Sequence, residues 1–211
     1  MPASGWATTS ELAGPQLQAA LALCGASLGT DRIDIQGQRL VEVVTWRLAV
    51  PAATALLNRA EVPDLRAGNV LVWIGDEPPD GNGISLHDPS AHDVADLEAI
   101  RDLLAREHLT ALIDAVQDAT KRPRGALWRS ADDRLEAAIA WIAQMTNAGA
   151  RAFELLEGKA ELRMLDLGTH EMLLHVRGGC CLYYRTPIAV KCFSCPLLDD
   201  DARRRLVAGG G

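Results

Sequence analysis

The hydrophobic positions of the chain form a series of helical stripes, interrupted by a few short apolar or alternating runs. Between residues 11 and 28, Leu17, Ala20, Leu21 and Cys24 recur at helical spacing, which marks one buried helix face. Residues 38–60 carry a second, rougher face through Leu40, Val43, Val44, Arg47 and Leu48. Pro51 interrupts it: proline has no backbone donor and clashes with the preceding turn, which predicts a kink or two helices meeting there. Residues 69–75, Asn-Val-Leu-Val-Trp-Ile-Gly, read as a buried strand, and residues 83–87 as a second strand of a hairpin. The intervening residues 76–82, with two prolines, read as a loop. Helices are predicted over 94–107 and 109–120, the second from Leu109, Leu112, Ile113 and Val116. Beyond the break at 121–125, Ser130 is placed to cap a further helix, with Asp132 and Asp133 in its first turn and Leu135, Ala138, Ile139 and Ile142 on its buried face. A helix over 148–156, strands over 161–166 and 171–176, and a short helix over 202–208 complete the pattern. Residues 1–9 read as a flexible arm on which Trp6 can dock.

This element order gives an α+β fold, mostly helical, with a small antiparallel sheet drawn from 69–75, 83–87 and the strands near 161–176. The 211 residues suit one continuous domain, divided into a body over 1–176 and a C-terminal segment over 177–211. With 48% hydrophobic and 23% charged residues the composition is that of an ordinary globular protein. The net charge of −7 is a poor basis for nucleic-acid binding, which needs a basic footprint. The apolar runs are interrupted too early to span a membrane, so no transmembrane segment is expected. The first 28 residues lack a basic region followed by an apolar one, the mark of a secretory signal.

Candidate chemistry concentrates near the C-terminus. Four of the five cysteines, Cys180, Cys181, Cys192 and Cys195, follow the spacing Cys-Cys, ten residues, Cys, two residues, Cys. Disulfides belong to oxidising compartments and small loop-rich domains, and clustered intracellular cysteines are more often metal ligands or redox centres. Zinc usually takes two separated Cys-x2-to-4-Cys knuckles. Cys192 and Cys195 have that spacing, whereas Cys180 and Cys181 are adjacent and, in an extended segment, point to opposite sides. Adjacent thiolates suit two metal atoms, or a turn that brings both inward. A binuclear 2Fe-2S cluster takes four thiolates and relaxes the demand that both reach one point. Zinc and the cluster both remain open on spacing alone. Cys24 sits on an apolar stripe and reads as a buried thiol.

The cysteine frame, with Leu182-Tyr183-Tyr184-Arg185 after the pair and Pro196 after the last cysteine, resembles the C-terminal signature of the FhuF-like ferric siderophore reductases. Weaker similarity runs through Arg47-Leu48-Ala49-Val50-Pro51, Val62-Pro63-Asp64-Leu65 and Ala126-Leu127-Trp128. The resemblance implies a 2Fe-2S cluster in a C-terminal lobe, with Cys180, Cys181, Cys192 and Cys195 as its ligands. It also implies one-electron reduction of a ferric siderophore, releasing ferrous iron in the cytoplasm. Fe(II) is softer and less charged than Fe(III) and is held more weakly by hard oxygen donors. Tyr183, Tyr184 and Arg185 follow the ligands directly and become candidate substrate contacts. One departure is Gly178-Gly179, where the family pattern has Arg-Arg or Arg-Ser, so positive charge beside the pair is expected to be lost.

No P-loop, dinucleotide fingerprint or Gly-x-Ser-x-Gly elbow is present, so electrons are expected from an external donor, a ferredoxin or a reductase protein. The acidic balance favours neutral or cationic hydroxamate chelates over anionic catecholates, unless the basic loop 121–124, Arg177, Arg185 or Lys191 reaches the pocket. That loop could instead dock an acidic electron donor. His87, His92, His170 and His175 are not expected to be ligands. The expected location is the cytoplasm, with peripheral association at the inner face of the membrane as a variant. The competing readings are a structural four-cysteine zinc protein and an iron–sulfur carrier or sensor without a ferric chelate substrate. A siderophore synthetase is disfavoured by the lack of a nucleotide site.

Overall fold

The computed structural model describes residues 5–75, 83–92 and 96–208. Its centre is a pair of long helices, α3 (Ile33–Asn58) and α6 (Arg124–Thr146), packed along each other. Both helices carry small buried side chains, including Ala49, Ala52 and Ala53 on α3 and Ala131, Ala138 and Ala143 on α6. The helix α2 (Leu17–Leu28) packs on α3 through Leu17, Ala20, Leu21 and Cys24, the stripe seen in the sequence. On another side lies α5 (Thr110–Thr120), at a place where α3 has Gly37. A Cβ there would come within 2.7 Å of Thr120 Cγ2 and 2.8 Å of Val116 Cγ1, so only glycine permits this approach.

Several boundaries differ from the sequence pattern, each for a local reason. The first predicted helix is two: α1 (Thr9–Leu12), closed at its start by a reciprocal Thr8–Glu11 capping box, and α2 after Pro15. The second begins five residues early and runs through Pro51 without a break. By length and composition α3 could cross a bilayer, contrary to the expectation that no run is long enough. It is instead mostly buried in the protein core. α4 (Leu97–Leu104) continues into α5 through a π-helical turn over Ala105–Leu109; residues 94 and 95 of the predicted helix lie outside the described residues, as does the loop 76–82. α6 starts at Arg124, directly after Pro123, so Ser130 is not a cap. It is buried within the helix, and Asp133 is buried too.

Among the described residues, the expected single sheet is three separate ones. β3 (Val70–Ile74) pairs with β4 (Ile84–Leu86), as predicted, and also with β1 (Gly5–Ala7), inside the arm expected to be flexible. Trp6 docks edge-on against its register partner Trp73, with ring centroids 5.6 Å apart. β2 (Val62–Pro63) pairs with β5 (Ala91–His92), a contact too short to carry a pattern. After α7 (Gly149–Leu156), β6 (Glu161–Asp166) and β7 (Glu171–Val176) form the predicted hairpin, in register from Glu161–Val176 to Asp166–Glu171. β7 lies on α6 and delivers the chain into the cysteine segment, and α8 (Asp200–Ala208) returns against β6.

Candidate metal centre

The chain leaves β7 at Arg177, and its backbone is at once tied down by α6. The Asp133 carboxylate, fully buried, accepts from the Gly178 N–H at 2.7 Å and the Gly179 N–H at 3.1 Å. The Cys180 carbonyl then accepts from Gln38 Nε2 of α3 at 2.8 Å and from Arg122 of the basic loop at 3.4 Å. Leu182 takes a left-handed conformation and buries its side chain, turning the chain into a single 3-10 turn over Tyr183–Arg185. The second pair is held as a tight turn: the Cys195 N–H donates to the Cys192 carbonyl at 3.0 Å. The Arg177 N–H anchors that turn through Ser194 O, and buried Arg203 of α8 donates to Cys195 O at 2.9 Å. The cysteine segment therefore hangs from α3, α6 and α8 by side chains that bond its backbone, and from the end of β7 by a backbone bond.

Cys181 and Cys192 face each other with their sulfurs 3.5 Å apart. That is well beyond the roughly 2.05 Å of a disulfide. It is close to the ~3.8 Å expected for two sulfurs on one tetrahedral metal with bonds of about 2.3 Å. The Cys181 thiol is pulled down to about 6, first by the hydrogen bond from Cys192 and then, against burial, by the Tyr183 N–H and the Arg177 charge. The Cys192 thiol, which gives that hydrogen bond and is itself buried, is pushed up. Cys180 is exposed, and Cys195 is half-buried beside its turn. Cys24 lies in the core on α2, apart from this segment.

Beneath the segment lies a buried ionic network that the helical periodicity did not reveal. Glu42 of α3 accepts from Arg134 of α6 at 2.5 Å and from Arg177 at 2.6 Å. Burial opposes its charge, but the two guanidinium groups hold its carboxyl at about 2. Burial likewise works against the Arg177 charge, yet Glu42 and Asp133 outweigh it and keep Arg177 firmly protonated. Glu136 receives Arg129, Arg101 and His175, at 2.7, 3.0 and 3.0 Å. Ligand atoms of Asp133, Glu136 and His175 lie within 4.8 Å of one another, a spacing that could hold a cation. Arg129 bonds to both carboxylates and already supplies the positive charge there. The one sequence signal for this network was Arg129, Asp133 and Glu136 at helical spacing on a face that also carries apolar residues.

The glycines before the cysteine pair now have a reason. A Cβ on Gly178 would lie 2.4 Å from Arg129 Nε and 2.6 Å from Arg129 Cζ. The guanidinium of Arg129 passes where side chains at 178 would stand. Positive charge beside the pair is thus retained from α6 and α3-facing Arg177, contrary to the expectation that it is lost.

Cys181 and Cys192, together with Glu42, Arg134, His175 and Arg177 of the ionic network, also border a cavity of about 1040 Å³. α3 contributes Arg39, Glu42 and Trp46, and α6 contributes Arg134 and Trp141. The two indoles pack with centroids 5.6 Å apart, and Trp141 is half exposed. The cysteine segment closes the cavity with Cys181, Tyr183, Lys191, Cys192 and Phe193. Of the three residues proposed as substrate contacts, only Tyr183 lines it. Tyr184 and Arg185 pair with each other on the surface, Arg185 Nε donating to the Tyr184 hydroxyl at 3.0 Å. A smaller cavity of about 420 Å³ beside Arg47 and Pro51 touches none of the four cysteines. His170 is exposed and bonded to Thr169, while His175 is buried on Glu136. His108, buried, bonds to Thr9 of α1 and to the Leu65 carbonyl in the loop after β2.

Two thiols 3.5 Å apart, two further cysteines on the same anchored segment, and a large cavity against the first two make this a candidate thiolate metal centre. Residues 177–197 match the family described as the FhuF 2Fe-2S C-terminal domain, so this segment is similar to that domain and the cofactor is a 2Fe-2S cluster. All four cysteines of the frame fall inside the matched residues. A comparison with curated proteins finds no match. The donor set fits the group: four sulfurs, two of them already at a shared-metal spacing, and arginine charge at hand for an anionic thiolate cluster.

Proposed function

We propose that this protein is a ferric siderophore reductase of the cytoplasm, with Cys180, Cys181, Cys192 and Cys195 holding the 2Fe-2S cluster. When bound, the cluster supplies one-electron transfer at low potential. The observation that carries the reading is that Cys181 and Cys192 form part of the wall of the large cavity. A chelate seated there stands against the sulfur edge, which electron transfer requires. Trp46, Trp141 and Phe193 offer it an apolar and aromatic wall, and Tyr183 a polar one. Cys180 is exposed and outside the cavity lining, and an external electron-donor protein can approach there. One electron from that donor converts the chelated Fe(III) to Fe(II), which the same oxygen donors hold more weakly.

The test is anaerobic purification with absorption and EPR spectra before and after dithionite. Ferric chelates are then added to the reduced protein and Fe(II) is trapped with a ferrous-specific dye. Reoxidation of the cluster with one Fe(II) trapped per electron supports the reading. A reduced cluster that no ferric chelate reoxidises would make the protein a carrier or sensor, and a colourless zinc-loaded protein would remove the redox reading altogether.

A further inference from the structure

The cavity beside Cys181 and Cys192 is charged in the opposite sense to the chain as a whole. The protein has a net charge of −7, yet the ionisable side chains lining the cavity, histidine and cysteine aside, are Arg39, Arg134, Arg177 and Lys191 against Glu42. Arg134 and Arg177 are engaged by Glu42, and Arg177 also faces the Cys181 sulfur. Arg39 and Lys191 have no ion-pair partner among the described residues. Arg39 is half-buried on α3, one turn before Val43, and its Nε is buried without a hydrogen-bond partner. Five other arginines share a buried, unmet Nε, but each has a hydrogen bond elsewhere on its guanidinium, whereas none is seen for Arg39 among the described residues, and guanidinium groups favour planar or paired oxygen acceptors. The Trp46–Trp141 pair in the same cavity gives an aromatic face on which an aryl ring can stack.

Resting on the reductase reading, we propose that the cavity selects a net-negative ferric chelate bearing aryl oxygen donors, with Arg39 and Lys191 as its charge-recognising residues. The whole-chain charge argued for neutral or cationic hydroxamates. At physiological salt exposed charges are screened over about 8 Å, so the groups that line the cavity outweigh distant surface acids. Glu42 with Arg134 and Arg177 carries one net positive charge, and Arg39 and Lys191 raise the lining to three, which stays positive against the two negative charges of an oxidised four-thiolate 2Fe-2S cluster.

Gallium(III) chelates, redox-silent copies of the ferric ones, separate binding from electron transfer. Affinity is read from quenching of tryptophan fluorescence in the cluster-loaded protein, for a tris-catecholate and for a neutral trihydroxamate at one ionic strength. The gallium tris-catecholate is expected to bind at least about tenfold tighter. Arg39→Gln should weaken it by about tenfold or more, the scale of one lost charge-assisted contact, and leave the trihydroxamate within about twofold. Arg39→Lys should keep part of the difference, and Lys191→Gln should weaken the catecholate complex in the same direction. Arg151→Gln removes the same charge on the outer surface, where Arg151 pairs with Glu154, and should change neither affinity. Tighter binding of the neutral chelate, or equal loss of both chelates in Arg39→Gln, overturns the proposal. If gallium catecholate binds as expected while no ferric chelate reoxidises the cluster, the anionic site stands and the reductase reading fails. If ferric chelates do reoxidise it but gallium affinities show no charge preference, only the present inference fails.

Discussion

Asp133 is the residue on which the cysteine segment hangs, and Asp133→Asn isolates its role. The carboxylate is fully buried, accepts from two successive backbone N–H groups at 2.7 and 3.1 Å, and pairs with Arg129 at 2.8 Å and Arg177 at 3.5 Å. Asparagine keeps the shape but removes the charge and turns one oxygen into a donor facing donors. Hydrogen bonds to a charged group are worth about 1.5–3 kcal/mol each, and breaking a buried ion pair from one side costs about 3–5 kcal/mol. These overlap, since they share one carboxylate, so a loss of about 4 kcal/mol is expected. Against a total stability of roughly 5–15 kcal/mol that is a large fraction. Urea denaturation of the cluster-loaded protein measures it, and the decay of visible absorbance under an iron chelator reports whether the cluster is lost faster. The control is Asp132→Asn, one residue away with a 42% exposed side chain, which should cost under about 0.5 kcal/mol. If Asp133→Asn behaved like that control in both assays, the idea that α6 holds the segment through this carboxylate would be wrong.

Further expectations follow from the same geometry. Serine at any one of Cys180, Cys181, Cys192 or Cys195 should lose or strongly destabilise the cluster, while Cys24→Ser, His170→Ala and His175→Ala keep an all-sulfur EPR spectrum; a spectrum that shifts with either histidine would reject the four-thiolate ligand set. Glu42 has a folded pKa lowered from 4.5 to about 2, so its contribution is fully present above pH 4.5 and lost as pH falls toward 2. At 1.36 kcal/mol per unit, that contribution is about 3 kcal/mol, and the stability gap between wild type and Glu42→Gln should narrow across this window; a gap that is flat in pH rejects it. Gly178→Ala sets a methyl 2.4 Å from Arg129 Nε, and because Arg129 is held by two carboxylates the clash should cost about 1–3 kcal/mol in urea denaturation; a neutral substitution would show that Arg129 moves freely.

What could be read from the sequence was whatever repeats or clusters along the chain. The β6–β7 hairpin was legible from its two runs of matched length, and the cysteine frame because its donors lie within sixteen residues, Cys180 to Cys195. β1 was not legible: three residues carry no period, and their stability comes from β3 and from Trp6 against Trp73. Ser130 was misread as a cap because its residue type suits one, while Pro123 had already provided the helix start. Pro51 did not divide α3, whose buried flanks hold the helix together on both sides. Tyr184 and Arg185 follow the cysteine pair in sequence, but the left-handed Leu182 and the 3-10 turn direct them to the surface and leave Tyr183 alone facing the cavity.

The ionic network was hidden for a different reason. A charged residue inside an apolar helical stripe reads as an interruption unless its partner is known, and here the partners lie on other elements. Glu42 on α3 meets Arg134 on α6 and Arg177 after β7. The same logic explains the two glycines. Judged along the chain, Gly178-Gly179 removes cations from beside the cysteine pair. In space Arg129, forty-nine residues earlier, occupies that position, and its guanidinium requires the absence of a Cβ at 178. The charge beside the pair is therefore a property of α6 and β7 together. An arginine restored at 178 alone would not add a cation to open space: it would have to displace Arg129 from Asp133 and Glu136, leaving two buried carboxylates short of a partner.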